Sequence, residues 1–271
     1  MKIKYLFICL IITLAGLFFV LKKGERPLTL MATTTTQDSG LLAVIIPELE
    51  KDTGLEINVV AFGTGKVLRS AVDGNADLIL VHDPINEKIF MDQGYGSKRI
   101  PIMQNDFVIV GPSADPAGVK NSLSAALAFE AIFKSNSPFV SRGDESGTHN
   151  AELRIWQKSK IEPDQFGKDK YLPTGAGMGR SLNIAVEKSA YILTDNATWV
   201  TFQNKGDLLV LYKNDLLLNN IYSIISVNSD RYPHVSSEKQ ETILNWFSSI
   251  KSKRLIENYK ISDQALFIPI R

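Results

Sequence analysis

This chain of 271 residues contains one cysteine, Cys9, and it lies inside an apolar block close to the N-terminus. The remainder has no thiol, which excludes disulfides and thiolate metal sites and leaves a packed core as its source of stability. Histidine is nearly as scarce. His82, His149 and His234 are dispersed, with no H-x-x-x-H spacing to hold a metal. No G-x-S-x-G elbow and no paired carboxylates stand out, so neither a nucleophile with its base nor an acid/base couple can be assembled. Net charge is missing too. Thirty basic residues oppose 29 acidic ones, and once Lys2, Lys4, Lys22 and Lys23 are set aside 26 remain, a formal charge near −3. A body of that charge is not built to follow a nucleic acid or an acidic lipid surface. Internal repeats and low-complexity segments are also absent.

What is present begins with a targeting segment. Lys2 and Lys4 precede the 17 residues from Tyr5 to Leu21, and Lys22 and Lys23 follow. Residues 1–23 are expected to be a signal peptide or N-terminal anchor, with export and cleavage the favoured course. Cys9 stands within the block, where no lipoprotein cleavage motif is formed, so lipidation is not expected. About 248 residues then remain, enough for one large or two medium domains.

Beyond Lys23 the pattern alternates. Leu28 to Ala32 reads as a buried strand, and Leu41, Leu42, Ile45, Ile46 and Leu49 recur at helical spacing as far as Thr53, with Pro47 expected to kink the helix. Glu56 to Ala61 and Asp77 to Val81 read as strands on either side of a short amphipathic helix that ends at Gly74. A second set follows: a helix near 122–134, a strand at Phe139-Val140, a helix from about His149 and a strand at Tyr191 to Leu193. This alternation predicts α/β architecture with parallel units. Asp106 to Gly111 and Tyr222 to Asn228 are expected to be two hinge crossings, giving lobe I as residues 27–110 and 222–271 and lobe II as 111–221. Ser237-x-x-Gln240 reads as a capping box ahead of an apolar stripe formed by Ile243, Leu244, Phe247 and Ile250.

Two segments carry the functional signal. Ser141-Arg142-Gly143-Asp144-Glu145-Ser146-Gly147-Thr148 places an always-charged guanidinium, hydroxyls and two glycines before a helical pattern. A helix start leaves backbone N–H groups unpaired and favours negative charge, while glycines let an anion approach those amides closely. The bland alternative is an elaborate N-cap, with Arg142 held by Asp144 or Glu145, but that requires neither the arginine nor both glycines. Thr33-Thr34-Thr35-Thr36 is a second hydroxyl cluster after a strand. Its bland reading is a threonine-rich strand end, whose alternation would point two hydroxyls each way, and Thr34, Thr35 and Thr36 are the candidates for contact. Thr64 in Gly63-Thr64-Gly65-Lys66 can also face a cleft, although the spacing excludes a nucleotide phosphate loop. His82 before Asp83-Pro84, and Gly177 in the loop Thr174 to Gly179, are candidate supports. All of these positions follow strands and precede helices, where open α/β sheets bind ligands.

These segments, together with Asp38-Ser39-Gly40-Leu41-Leu42, Asn105 to Pro112, Tyr171-Leu172 and Leu193-Thr194-Asp195, resemble the tungstate-binding proteins of bacterial ABC transporters, from about Leu28 to Ile250. The resemblance implies a two-lobed periplasmic-binding-protein fold of type II, each lobe a mixed sheet flanked by helices. It also implies a non-enzymatic, monomeric receptor without cofactor or metal, which passes tungstate to a permease subunit. The oxyanion contacts it implies are Thr34, Thr35, Thr36, Thr64, Ser141, Arg142, Ser146, Gly147 and Thr148, with His82, Asp144 and Gly177 in support. Two positions depart from the family pattern. Thr36 stands where serine is usual, and Asp83 where a small residue is usual.

Tungstate and molybdate carry no proton near neutral pH, whereas hydrogenphosphate has one to donate. The expectation therefore turns on Asp144: directed at Arg142 it favours a proton-free anion, and directed into the cavity it favours phosphate. Receptors for molybdate, phosphate or sulfate are the alternatives within this class. Outside it stand an enzyme acting on a phosphorylated metabolite, for which no poised base is found, and the sensing domain of a regulator, which the export segment disfavours.

Overall fold

The computed structural model describes residues 26–270 apart from Lys168 and Ser262, so the proposed targeting segment lies outside the described residues. In the first half of the chain β1 (Leu28–Thr33) leads into a short α1 (Thr34–Asp38) and then α2 (Leu41–Thr53). Next come β2 (Ile57–Phe62), α3 (Thr64–Val72), β3 (Leu78–Val81) and α4 (Pro84–Asp92), and then β4 (Gly96–Pro112), which spans 17 residues. The second half continues with α5 (Ala125–Lys134), β5 (Phe139–Ser141), α6 (Gly147–Lys158), β6 (Tyr171–Pro173), α7 (Met178–Lys188), β7 (Tyr191–Asp195) and α8 (Asn196–Thr201). It closes with β8 (Leu208–Tyr212), β9 (Asn219–Val227), α9 (Ser237–Ser248), α10 (Ile250–Asn258) and the short strands β10 (Lys260–Ile261), β11 (Gln264–Ala265) and β12 (Ile268–Pro269).

The strands run in the order β2-β1-β3-β9-β4-β7-β5-β6, with β8 and β12 also joined to β4. β4 is the element common to both lobes. From Gly96 to Asp106 it pairs antiparallel with β9, and from Phe107 onward with β7 and β8. The change of partner falls between Asp106, opposite Asn219, and Phe107, opposite Asp195. β1 lies parallel to β2 and β3 in the first lobe, and β5 parallel to β6 and β7 in the second. Each lobe is thus a mixed sheet with helices on its faces, the arrangement expected when strand-helix-strand units bury both sides of a sheet.

The cores follow from the same patterns. Leu41, Leu42, Ile45 and Leu49 of α2 pack on Leu30, Leu78, Ile224 and Phe247. In the second lobe Phe129, Phe139 and Trp156 stack with ring centroids 4.4–5.3 Å apart, wedging α5 and α6 onto β5. Ala197 of α8 reaches back into the first lobe's core beside Tyr222.

Several local expectations are corrected. Thr33 ends β1 but Thr34 to Thr36 form a helical turn, so their hydroxyls do not alternate as on a strand. The helix at 237 is capped by Ser236, whose hydroxyl accepts from the Lys239 amide, and Gln240 instead donates across the fold to the carbonyls of Asp77 and Val227. The apolar stripe is interrupted at Ser249, which starts a second helix and leaves Ile250 exposed. The strand expected from Asp106 begins ten residues earlier, because Lys98, Arg99 and Pro101 mask its alternation in the sequence.

Candidate anion-binding site

Helices α1, α3, α6 and α7 all begin where the chain leaves a strand or its following loop. At Thr33, Gly63 and Gly177 the residue preceding the helix makes no side-chain cap, so the first amides of α1, α3 and α7 are not covered by their own N-caps. α6 is capped by Ser146, whose Oγ accepts from the His149 amide at 3.3 Å. Accepting that bond leaves the Ser146 hydroxyl proton to be directed elsewhere.

The two lobes meet tightly at these helix starts. A Cβ on Gly147 would lie 2.6 Å from His82 Cε1, and one on Gly65 would lie 2.9 Å from the Glu145 carbonyl oxygen. Glycine at both positions lets backbone from one lobe approach the other within distances that any side chain would forbid. The approach brings Thr64 and His82 of the first lobe next to Ser146, Gly147 and Thr148 of the second. A cavity of 440 Å³ is lined by Thr34, Thr35 and Asp38 together with Gly177, Met178, Gly179 and Arg180, while Thr64, Ser141, Arg142, Ser146 and Thr148 are not in its lining.

Hydrogen bonding separates the candidate residues into two groups. Thr64 Oγ1, Thr148 Oγ1 and Arg142 Nε are buried and have no partner within the protein, although Thr64 and Thr148 are each only 1% exposed. An unpaired buried polar group is costly, and these three, unlike the unpartnered Asn105 Nδ2, Ser223 Oγ and Ser252 Oγ, lie in the segments singled out at the helix starts. Asp144 is not part of that set. One of its oxygens accepts from Arg142 Nη2 at 2.5 Å and the other from the Ser146 amide at 3.2 Å. The carboxylate therefore orients the guanidinium, and Arg142 offers Nε rather than its whole fork.

Thr36 is engaged within its own turn. Its hydroxyl donates to the Thr33 carbonyl at 2.8 Å, which ties the turn of α1 to the end of β1 and leaves that proton committed. Thr35 is buried and Thr34 half-buried, and both line the cavity. Ser141 is fully buried, and its Oγ accepts from the Gly143 amide at 3.2 Å.

His82 is a wall, not a donor. Its ring stacks on Tyr222 at 4.7 Å and faces Gly147 on the other side. Asn220 donates its amide group to Asn105 Oδ1 and to the Tyr222 phenol, so Asn220 Oδ1 is left to accept from His82 Nδ1 at 2.8 Å. That places the ring proton on Nδ1. Burial pushes the imidazole down to about 4, so near neutral pH it is uncharged and its Nε2 presents a lone pair.

Sequence reading missed the buried polar frame behind the site. Asn105, Asn220 and Tyr222 hold His82, and Glu152 accepts from Tyr171 at 2.7 Å and from Trp156 at 3.2 Å. Burial raises Glu152 to about 7, with the Tyr171, Ser141 and Trp156 bonds acting against the rise. The available signal was a polar residue on the apolar face of each element, such as Glu152 between Ala151 and Ile155.

Two lobes joined through a shared strand, each carrying buried unpartnered donors near its helix starts, are the architecture of a protein that binds a solute between lobes. Residues 22–249 match the model of the PBP superfamily domain. The tungstate-binding protein TupA of Peptoclostridium acidaminophilum is 39% identical over 239 residues, covering 88% of this chain and 82% of that protein. Among solved structures, the tungstate-binding protein TupA from Desulfovibrio alaskensis superposes with a TM-score of 0.78 at 40% identity, covering 90% of this chain and 99% of that one. The tungstate ABC transporter structure from Geobacter sulfurreducens gives 0.77 at 37% identity, covering 88% and 100%. This chain belongs to the PBP superfamily and, within it, to the family of tungstate-binding proteins, whose members are binding components of transport and not enzymes.

Proposed function

We propose that this chain is an extracytoplasmic solute-binding protein that closes its two lobes on tungstate and delivers it to the permease subunit of an ABC transporter. The observation that carries the reading is the presence of buried, unpartnered donors in both lobes, Thr64 Oγ1 in one and Thr148 Oγ1 with Arg142 Nε in the other. Asp144 supports a proton-free anion in particular, because its carboxylate is turned to Arg142 and the Ser146 amide, the orientation expected for such an anion. The uncharged His82 adds no counter-charge to a dianion and, with its lone pair outward, no donor.

The ligand set is Thr34, Thr35, Thr64, Ser141, Arg142, Ser146, Gly147 and Thr148, framed by His82, Asp144 and Gly177. Hydrogen bonds to charged groups contribute roughly 1.5–3 kcal/mol each, and nanomolar affinity corresponds to about −12 kcal/mol, so a handful of donors split between lobes suffices after closure. The open form presents only one lobe's share, which makes the anion itself the closing force. Lobe I comprises 27–110 and 222–271 and lobe II 111–221; the change of partner along β4 near residue 106 supports a division there. Residues 1–23 direct export, and the protein acts as a monomer.

Isothermal titration with tungstate, molybdate, sulfate and phosphate, followed by competition at equal concentrations, tests this. Tungstate should bind most tightly, molybdate next, and phosphate negligibly. Phosphate displacing tungstate would reject the proton-free reading.

A further inference from the structure

Asp83 has no part in the ligand set, yet it is completely buried. It precedes α4 but makes no side-chain cap to that helix. Instead its carboxylate faces the other lobe. Asp83 Oδ2 accepts from Asn150 Nδ2 at 2.6 Å, and Oδ1 accepts from Arg154 Nη1 at 3.3 Å. Both partners belong to α6, one turn apart on the same face, and α6 is the helix whose first turn carries Gly147 and Thr148. The acceptor is itself held in place. Asn86 Nδ2 donates to Oδ2 at 2.6 Å, and the Asp83 amide donates to Glu87 Oε1 at 2.7 Å, while Glu87 Oε2 takes Arg99 Nε at 2.7 Å. A fixed, buried acceptor in the first lobe therefore grips the helix that presents the second lobe's donors.

We infer that Asp83 is the positioning residue that sets the closing equilibrium of the two lobes, and through it the affinity for the anion. Arg69 and Glu145 also pair across the lobes at 2.7 Å, but their side chains are 64% and 70% exposed, so solvent and salt weaken that contact. Asp83 is shielded from both. Its acceptor strength acts in the closed arrangement, where Asn150 and Arg154 come within reach. Apparent affinity scales with the fraction of molecules in the binding-competent form, so a residue that touches no ligand atom still governs how tightly the ligand is held.

The inference rests on the proposed oxyanion function for its affinity readout, and on closure alone for its second readout. The test is Asp83→Asn, which removes the charge opposite Arg154 and leaves one acceptor oxygen in place of two, so that an NH2 group faces either Asn150 or Arg154. Titration with tungstate should show an affinity about tenfold or more weaker, expressed mainly in the dissociation rate. Small-angle X-ray scattering without any anion should show a larger radius of gyration than wild type. The reciprocal pair Asp83→Asn with Asn150→Asp reverses donor and acceptor and should restore both quantities to within about threefold. Arg69→Ala should leave affinity within about twofold. If Asp83→Asn does not fold, the double variant Asn150→Ala with Arg154→Met removes the grip from the other side and decides the matter by the same readouts. Wild-type compactness in the variants overturns the inference, as does an affinity loss that the reciprocal pair fails to rescue. Should wild type bind none of the four oxyanions, the scattering comparison still reads the closing role independently of the proposed ligand.

Discussion

Replacing Thr148 by valine should move stability and affinity in opposite directions. Valine keeps the branched shape of threonine and exchanges the hydroxyl for a methyl. In the protein Thr148 is 1% exposed and its Oγ1 has no hydrogen-bond partner. Leaving a buried hydroxyl unpaired costs roughly 1–3 kcal/mol, so the substitution should raise the stability of the anion-free protein by up to that amount. For a chain of this size that is about 2–4 °C in apparent melting temperature for each kcal/mol. The bond to a charged oxygen that the hydroxyl would otherwise make is worth roughly 1.5–3 kcal/mol, a loss of about 10- to 150-fold in affinity. Differential scanning calorimetry without anion and titration calorimetry with tungstate measure the two quantities on one preparation. Thr64→Val should behave likewise from the opposite lobe, and the double variant should lose less than the sum because both act on one closure. A lower melting temperature with an unchanged dissociation constant would refute the reasoning, since it would mean that these hydroxyls support the fold and meet no ligand.

Arg142→Lys retains the charge but not Nε, the buried guanidinium nitrogen without a partner, and should weaken tungstate binding about tenfold or more while melting changes little; titration and thermal melts check it. Gly147→Ala puts a Cβ within 2.6 Å of His82 and should weaken binding by a factor of about ten, because the helix start can no longer seat against the first lobe; an alanine variant of wild-type affinity would show that the ring yields. Glu152 is 2% exposed and its folded value is raised from 4.5 to about 7, so the folded state holds the proton more strongly than the unfolded chain. Its contribution is therefore fully favourable below about pH 4.5, is lost as pH rises to about 7, and is level above that. Glu152→Gln should remove this dependence. The stability gap in its favour, measured by urea unfolding from pH 4.5 to 8, should widen by about 3 kcal/mol and then hold constant, and a gap independent of pH would sink the assignment.

How much of this was legible before the fold depended on how local the physics was. The helix-start character of Ser146 to Thr148 and of Thr64 follows from a hydroxyl or glycine beside unpaired amides, all within four residues, and the structure places both at helix starts. β1, α2 and β3 likewise follow from apolar spacing within single segments. β4 was only half legible. Its first ten residues owe their strand conformation to β9, more than a hundred residues away, and not to their own alternation.

The chain's own order of residues decided the α/β class, the confinement of its one cysteine to the apolar N-terminal block, and the two hydroxyl-rich segments, because each rests on composition or on contacts a few residues long. Tertiary structure alone decided which of those hydroxyls are unpaired and which are used by the fold. Thr64 Oγ1 and Thr148 Oγ1 are buried without a partner, whereas the buried Asn220 is used by His82, Asn105 and Tyr222. The proton of His82 is placed by Asn220, 138 residues distant, and the buried face of Asp83 by Asn150, 67 residues distant. A side chain's hydrogen-bonding capacity is written in its type, but whether that capacity remains available is set by neighbours that only folding brings within 3 Å.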